Sequence, residues 1–300
     1  MTIKEALALY EELHLPTLAD QRPVRTRIKK YFDTIAEIQV DKLSTMDVQR
    51  WHQANMARSR MQANSSLVIL RAVYKKLVEW GHFPGGLVSP AYCVKMKRPT
   101  PRNRYVTPHE LSSLLRVLAC EEVMTRLFFS IVLFVGCRPG EAERLQWVDL
   151  KLWTDPESGA PFGTWRKPRT KNGLAHSVPL PPMVARMAIE HRENAPADCP
   201  WVFPGNTAFV SRSCWHVLWT RIRKAAEIPD VRRHDLRRAC ATYLLDGGMD
   251  LLMLSKAVLN HTDLRSTSIY AQPIETSVRE KLTKNSERMV AFAFSGAAHG

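Results

Sequence analysis

Between Val94 and Arg104 the chain reads Val-Lys-Met-Lys-Arg-Pro-Thr-Pro-Arg-Asn-Arg, and two prolines among five cations rule out a helix or a central strand there. Both sides of this break read as helical. The sequence therefore predicts a mainly α chain with a small β-hairpin: a helical domain over 1–93, a basic linker over 94–104, a second domain over 105–275 and a tail over 276–300. A length of 300 residues suits two domains that each bury a core. In the first, Thr2-x-x-Glu5 forms a capping box ahead of an apolar stripe of Ile3, Ala6, Leu7, Tyr10 and Leu13. Ser44 to Asp47 leads into a further helix over Val48 to Met56, and Leu67, Leu70, Tyr74 and Leu77 mark another that ends at Gly81. The second domain opens on the capping box Thr107-Pro108-His109-Glu110, with proline at the first helical position. Its clear departure from helix is Thr164 to Leu180, where Asn172-Gly173 marks a tight turn between extended segments and puts Lys171 at or beside the hairpin tip.

Lys plus Arg number 43 against 29 Asp plus Glu, a net charge of +14, and the cations are spread over the folded segments rather than gathered in one tail. Charge of this kind favours an anionic partner and leaves DNA, RNA and a membrane surface open. Any one basic run is equally a solvated face. The most apolar stretch, Leu127 to Val135, is far shorter than the roughly 20 residues of a membrane span and reads as a buried helix. Met1-Thr2-Ile3-Lys4-Glu5 shows no basic region followed by an apolar core, so a cytoplasmic, nucleoid-associated protein with no membrane partner is expected. Cys93, Cys120, Cys137, Cys199, Cys214 and Cys240 show neither a Cys-x-x-Cys pair nor zinc-site spacing. They read as reduced, mostly buried thiols.

The residues suited to chemistry lie in Gly136-Cys137-Arg138-Pro139-Gly140-Glu141, in Arg232-Arg233-His234-Asp235-Leu236-Arg237-Arg238, and in Leu259 to Tyr270 with His261. Together they offer a tyrosine nucleophile, two arginines and two histidines, a set that can attack a phosphodiester without a metal. Oxygen attack on a phosphodiester passes through a pentavalent transition state with extra negative charge, so fixed cations must surround the phosphate oxygens. Arg138 and Arg237 suit that clamp, because a guanidinium grips two oxygens and stays protonated. Glycines beside Arg138 let the backbone turn tightly. Glu141, three residues on, can hold its guanidinium, although a simple surface pair fits the spacing as well. His234 and Arg237 stand three apart and share a helix face. Alone, such a pair is equally a satisfied histidine beside a surface arginine. Tyrosine has a reference pKa of about 10, so Tyr270 needs nearby arginines to favour its phenolate and His261 or His234 to accept its proton. Lys171 can protonate a departing 5′ oxygen; by itself it is a lysine in an exposed turn. The sequence carries no P-loop, no His-Glu-x-x-His and no clustered carboxylates for two-metal chemistry, which leaves transesterification with no cofactor.

The order Arg138, Lys171, His234-x-x-Arg237, His261, Tyr270 resembles the tyrosine recombinase (phage integrase) family over about residues 105 to 275. Val135 to Glu141, with Leu145-Gln146-Trp147-Val148-Asp149-Leu150, resembles the family's first arginine box. Thr170-Lys171-Asn172-Gly173 ahead of Val178-Pro179-Leu180 resembles its lysine hairpin, and His234 to Arg238 through Ala241-Thr242-Tyr243-Leu244-Leu245 its second box. The resemblance implies a helical core-binding domain plus a mixed α/β catalytic domain, with Arg138, Lys171, His234, Arg237, His261 and Tyr270 catalytic. It implies that Tyr270 forms a 3′-phosphotyrosine link and frees a 5′ hydroxyl that later attacks the partner strand. Bond energy is conserved, so no nucleotide is needed. The implied partners are double-stranded DNA gripped from opposite sides by the two domains, a homotetramer on two duplexes, and an accessory DNA-bending or directionality factor, in the service of a mobile element. Alternatives are a chromosome-dimer resolvase, a type IB topoisomerase and a catalytically inactive architectural DNA-binding protein. Asn260 stands where the family usually has glycine, and asparagine accepts the left-handed conformation such a turn uses. The chain starts at the segment resembling the core-binding domain, which implies simple-site recombination or a shortened chain. A helix over Glu275 to Met289 and the apolar run Val290 to Phe294 are expected to dock on a neighbouring protomer or on their own domain.

Overall fold

The computed structural model describes residues 1–18, 20–83, 86–96, 104–167, 175–206, 208–260 and Thr267. It divides into two compact units, Met1–Arg102 and Asn103–Gly300. The tail over 276–300 and most of the basic stretch over 94–104 lie outside the described residues.

The first unit is built on α1 (Ile3–Leu13), α2 (Arg22–Tyr31), α3 (Thr45–Arg58) and α4 (Arg60–Glu79). Thr2 with Glu5 and Ser44 with Asp47 form the capping boxes that start α1 and α3. Ile3, Ala6, Leu7 and Tyr10 of α1 are buried in one core with Leu67, Leu70, Tyr74 and Leu77 of α4. Leu13 leaves the expected stripe: it closes the last turn of α1 and is exposed. The buried Tyr74 hydroxyl donates to the Val40 carbonyl at 2.7 Å, and α4 ends where Gly81 takes a left-handed φ of 78°.

The second unit starts with α5 (Pro108–Ala119), capped by Thr107 and Glu110, then α6 (Val123–Ser130) and the short α7 (Pro139–Ala142). A three-stranded antiparallel sheet comes next, β1 (Leu150–Thr154), β2 (Pro161–Lys167) and β3 (His176–Leu180), in that spatial order. The expected hairpin is β2 with β3, in register from Gly163↔Leu180 to Lys167↔His176. β1 adds a strand that the sequence pattern does not announce. Then come α8 (Pro182–Glu193), α9 (Arg212–Ala225), α10 (Arg233–Asp246) and α11 (Leu251–Met253).

The centre of this unit is α6. Leu127, Phe128 and Phe129 are fully buried, and Phe128 stacks on Trp215 of α9 with ring centroids 3.7 Å apart. Burying each such ring contributes about 1.5–3 kcal/mol, which makes α6 a rigid base for the turn that carries Arg138. The expected buried helix over Leu127 to Val135 is one continuous apolar rod whose last part, Ile131–Val135, widens into a π turn. The expectation of mostly buried thiols holds for Cys137 and Cys240 alone. Cys93, Cys120 and Cys214 are exposed and Cys199 is half-buried, since they sit at helix ends or in a loop outside the packed faces. No helix among the described residues is long and apolar enough to cross a membrane.

Candidate active site

A cleft of about 1320 Å³ opens in the second unit, with Arg138 and His234 both in its lining. The route to Arg138 begins at the π turn. At its end Gly136 takes a left-handed φ of 66°, and a Cβ there would stand 3.0 Å from the Cys240 Sγ of α10. Glycine is needed for the conformation and for the close approach. The chain then reverses, and Arg138 becomes the N-cap of α7 with proline at the first helical position. Glu141, in the third helical position, accepts the Arg138 backbone N–H at 3.2 Å and the Arg138 Nη1 at 2.9 Å. The same carboxylate accepts Lys167 Nζ at 3.1 Å from the end of β2. Burial pushes the Glu141 carboxyl upward, but the charge of Lys167 and the hydrogen bonds from Arg138 and Lys167 outweigh it and hold it at about 2. It is an anion at any physiological pH.

His234 and Arg237 lie in the first turns of α10, which is started by an equivalent cap: Asp235 accepts the Arg232 backbone N–H at 2.8 Å. The loop ahead of α10 is fixed twice. Trp219 Nε1 donates to the Val231 carbonyl at 2.9 Å. Arg104 bridges Glu110 at 2.6 Å and Asp230 at 2.8 Å. A nearly buried pair, Arg233 to Glu143 at 3.0 Å, ties α10 to the segment after α7.

The two residues of the His-x-x-Arg pair separate by depth. His234 lines the cleft and is exposed to it. Burial and then the neighbouring Arg237 charge push its pKa down, with Arg138 and Arg238 adding to the effect and Asp235 opposing it, so the imidazole is neutral at neutral pH. Arg237 is only 1% exposed. Its Nη1 donates to the Gly136 carbonyl at 2.7 Å and its Nη2 to the Leu259 carbonyl at 2.9 Å. Leu259 comes directly after a second π turn, Leu254–Val258, and Asn260 beyond it takes a φ of 49°, in keeping with the left-handed role read from the sequence. Arg237 thus joins the ends of two π turns, one leading to Arg138 and the other to His261. A cation at these carbonyls also matches the partial negative charge of helix C-termini.

Lys171, His261 and Tyr270 lie outside the described residues. Arg138 and His234 share the cleft, with Arg237 in the interior between the two loops. Glu141 takes the partner role anticipated for it, and the pair is extended inward by Lys167, a residue that sequence reasoning passed over. Its signal was readable: β2 alternates, and Lys167 falls in phase with the buried Trp165. Arg144, Arg212, Arg223 and Arg232 add cations to the cleft, giving a wall that can hold a polyanion while a neutral imidazole gives or takes a proton. Burial pushes the Cys137 and Cys240 thiols up to about 12, so both stay protonated and serve packing. Among the described residues no group of three or more His, Cys, Asp or Glu is arranged to hold a metal ion.

The model of the phage integrase family matches residues 104–276. Tyrosine recombinase XerC of Erythrobacter litoralis is 33% identical over 102 residues, covering 33% of this chain and 33% of that protein. Tyrosine recombinase XerA of Pyrococcus furiosus is 24% identical over 193 residues, covering 63% of this chain and 64% of that protein. The chain therefore spans less than two thirds of the length of these relatives. Among solved structures, the Tn1549 transposon integrase in complex with circular intermediate DNA matches with a TM-score of 0.69 at 16% identity, over 94% of this chain and 99% of that one. At that identity the likeness is one of fold.

Proposed function

This chain belongs to the phage integrase family, and from that premise we propose that it cuts and rejoins double-stranded DNA at a specific site through a 3′-phosphotyrosine intermediate, in the integration or excision of a mobile element. The observation that carries the reading is the meeting of Arg138 and His234 in one cationic cleft, with Arg237 tying the segments that lead to Arg138 and towards His261.

In the proposed reaction the Tyr270 oxygen attacks the phosphorus and loses its proton to His261 or to water. The bond to the 5′ oxygen breaks, and Lys171 gives that oxygen a proton. Arg138 stabilises the charge that develops on the non-bridging oxygens, Arg237 adds its positive charge from the interior behind the cleft, and His234 donates a hydrogen bond to one of those oxygens. The reverse step, with a 5′ hydroxyl of the partner strand as nucleophile, rejoins the DNA. One phosphodiester is exchanged for one phosphotyrosine and back, so no energy source enters. The duplex as partner is carried over from the Tn1549 integrase, whose structure includes DNA. We assign duplex binding to the helical first unit as well, and a homotetramer on two sites to the assembly, with an accessory DNA-bending factor. A second reading within the same chemistry, resolution of chromosome dimers, is compatible with the tyrosine recombinase relatives.

The test starts from duplexes selected for binding out of a random library. Nicked versions tiled across the selected site are incubated with the protein in the presence of EDTA. A covalent protein–DNA adduct is expected, and Tyr270→Phe should abolish it while leaving binding intact. Tight binding with no adduct from any nicked duplex would defeat the enzymatic reading in favour of an architectural DNA-binding protein.

A further inference from the structure

β2 turns Pro161, Gly163, Trp165 and Lys167 inward and Phe162, Thr164 and Arg166 outward. An inward position of this kind ordinarily takes an apolar side chain, because a buried ammonium is costly unless it is paired. Lys167 is 7% exposed. It is paired on two sides: its Nζ donates to Glu141 Oε2 at 3.1 Å and stands 4.2 Å from the centre of the Trp165 ring. Glu141 in turn binds Arg138 through both oxygens, Oε1 to the guanidinium and Oε2 to the backbone N–H. One carboxylate is thus held between two cations, and the three groups together carry a net charge of +1.

That count matters for Arg138. A lone Arg138–Glu141 pair is neutral, and the anion close to the guanidinium would cancel most of its attraction for a phosphate. A partly buried carboxylate also drifts towards protonation when only one cation faces it, and a neutral acid grips an arginine less firmly. Lys167 answers both needs from the wall of the same cleft, since its ammonium is turned to Glu141. It is also the last described rung of the β2–β3 ladder, opposite His176 and four residues before Lys171 in the chain. The same ion pair therefore anchors the base of the hairpin to the Arg138 turn.

We propose that Lys167 is a positioning residue of the recombination reaction: it fixes the Glu141 carboxylate that aims Arg138 and leaves this side of the cleft a net cation. The inference deepens the tyrosine recombinase reading and rests on it. Lys167 acts through Glu141 and Arg138, not as the proton donor to the leaving group.

The test uses the full chain and the same tiled, nicked duplexes. Lys167→Met removes the charge and the donor, Lys167→Gln keeps a donor without charge and serves where the methionine variant folds poorly, and Lys167→Arg keeps both. Single-turnover cleavage, equilibrium binding of the same duplex and thermal unfolding are measured for each. Loss of aim at Arg138 should slow cleavage of bound DNA about 100-fold in the methionine and glutamine variants, with little change in affinity. Lys167→Arg should recover most of the rate. A rate in Lys167→Gln equal to that of the unmodified protein would overturn the proposal. So would a Lys167→Arg variant that melts normally and still cleaves as slowly as Lys167→Met. A substrate with a bridging 5′ sulfur supplies a leaving group that needs no proton. Recovery of Lys167→Met on that substrate would make Lys167 the acid and would also overturn the assignment. The two readings fail separately. If the unmodified protein forms no adduct, the recombinase reading falls. If it forms a Tyr270-dependent adduct and Lys167→Gln does so equally fast, only the role of Lys167 falls.

Discussion

Arg237→Ala should cost stability as well as rate, and this separates it from Arg138→Ala. Arg237 is 1% exposed, and its two Nη groups satisfy the carbonyls of Gly136 and Leu259 at 2.7 and 2.9 Å. Alanine leaves both acceptors in a dry interior, where each unsatisfied group costs about 1–3 kcal/mol, so the second unit should lose roughly 2–6 kcal/mol before any cavity is counted. Arg138 differs. Its side chain is 32% exposed and its ion pair is with Glu141 on a short helix, so its removal should cost no more than about 1 kcal/mol of stability, while still removing on the order of 3 kcal/mol of transition-state stabilisation. Two units make a single unfolding transition unsafe to assume. Hydrogen exchange resolved by mass spectrometry avoids that problem, with peptides covering Ile131–Ala142 and Leu254–Asn260 as reporters. Arg237→Ala should speed exchange in both peptides together, by roughly 30-fold or more for a loss of 2 kcal/mol. Arg237→Lys should fall between, because one ammonium cannot reproduce a fork across two carbonyls. Unchanged exchange in both peptides, with normal melting, would refute the stapling role.

Gly136→Ala should destabilise the second unit by about 1–2 kcal/mol from the left-handed backbone alone, with more from a Cβ placed 3.0 Å from Cys240 Sγ. Adding Cys240→Ala should recover the contact share and not the backbone share, which a double-mutant cycle of melting temperatures would read; full recovery would place the whole cost in the contact. Glu141 gives a pH prediction. Its carboxyl is held at about 2 against an ordinary 4.5, so its contribution is complete above the ordinary value and is lost as pH falls from about 4.5 towards 2. That gap is worth on the order of 3 kcal/mol. Glu141→Gln should flatten the acid limb of the stability curve over that window, and an unaltered acid limb would show that other carboxylates govern it.

Where the sequence was legible, the information was local. Thr2 with Glu5, Ser44 with Asp47 and Thr107 with Glu110 are helix starts written in adjacent residues, and all three are formed. Asn260 in the left-handed region is equally a consequence of its own side chain. Where the sequence misled or stayed silent, the deciding neighbour was far along the chain. The helix α2 has no fully buried residue, and its short stripe of Val24, Ile28 and Tyr31 is only partly buried against the core. The strand β1 has five residues, three of them exposed, and exists because β2 lies beside it. Lys167 looks like one more member of a basic run until the register of β2 turns it inward to Glu141, 26 residues earlier.

The same distinction explains why the arginine boxes could be read while the loops that join them could not. Arg138 with Glu141 and Arg232 with Asp235 are built on one device, a helix whose N-cap N–H is taken by an acid three residues on. That spacing fixes the direction of the first turn, and with it the places of Arg138, His234 and Arg237, whatever the remainder of the fold does. The π turns Ile131–Val135 and Leu254–Val258 carry no such mark. Each ends at a carbonyl that Arg237, from a third segment, brings into a common frame. A motif can therefore name Arg237 from the sequence, but its burial between two loop ends is a property of the assembled unit. The charge that the proposed reaction would use is for that reason inseparable from the packing that holds the site together.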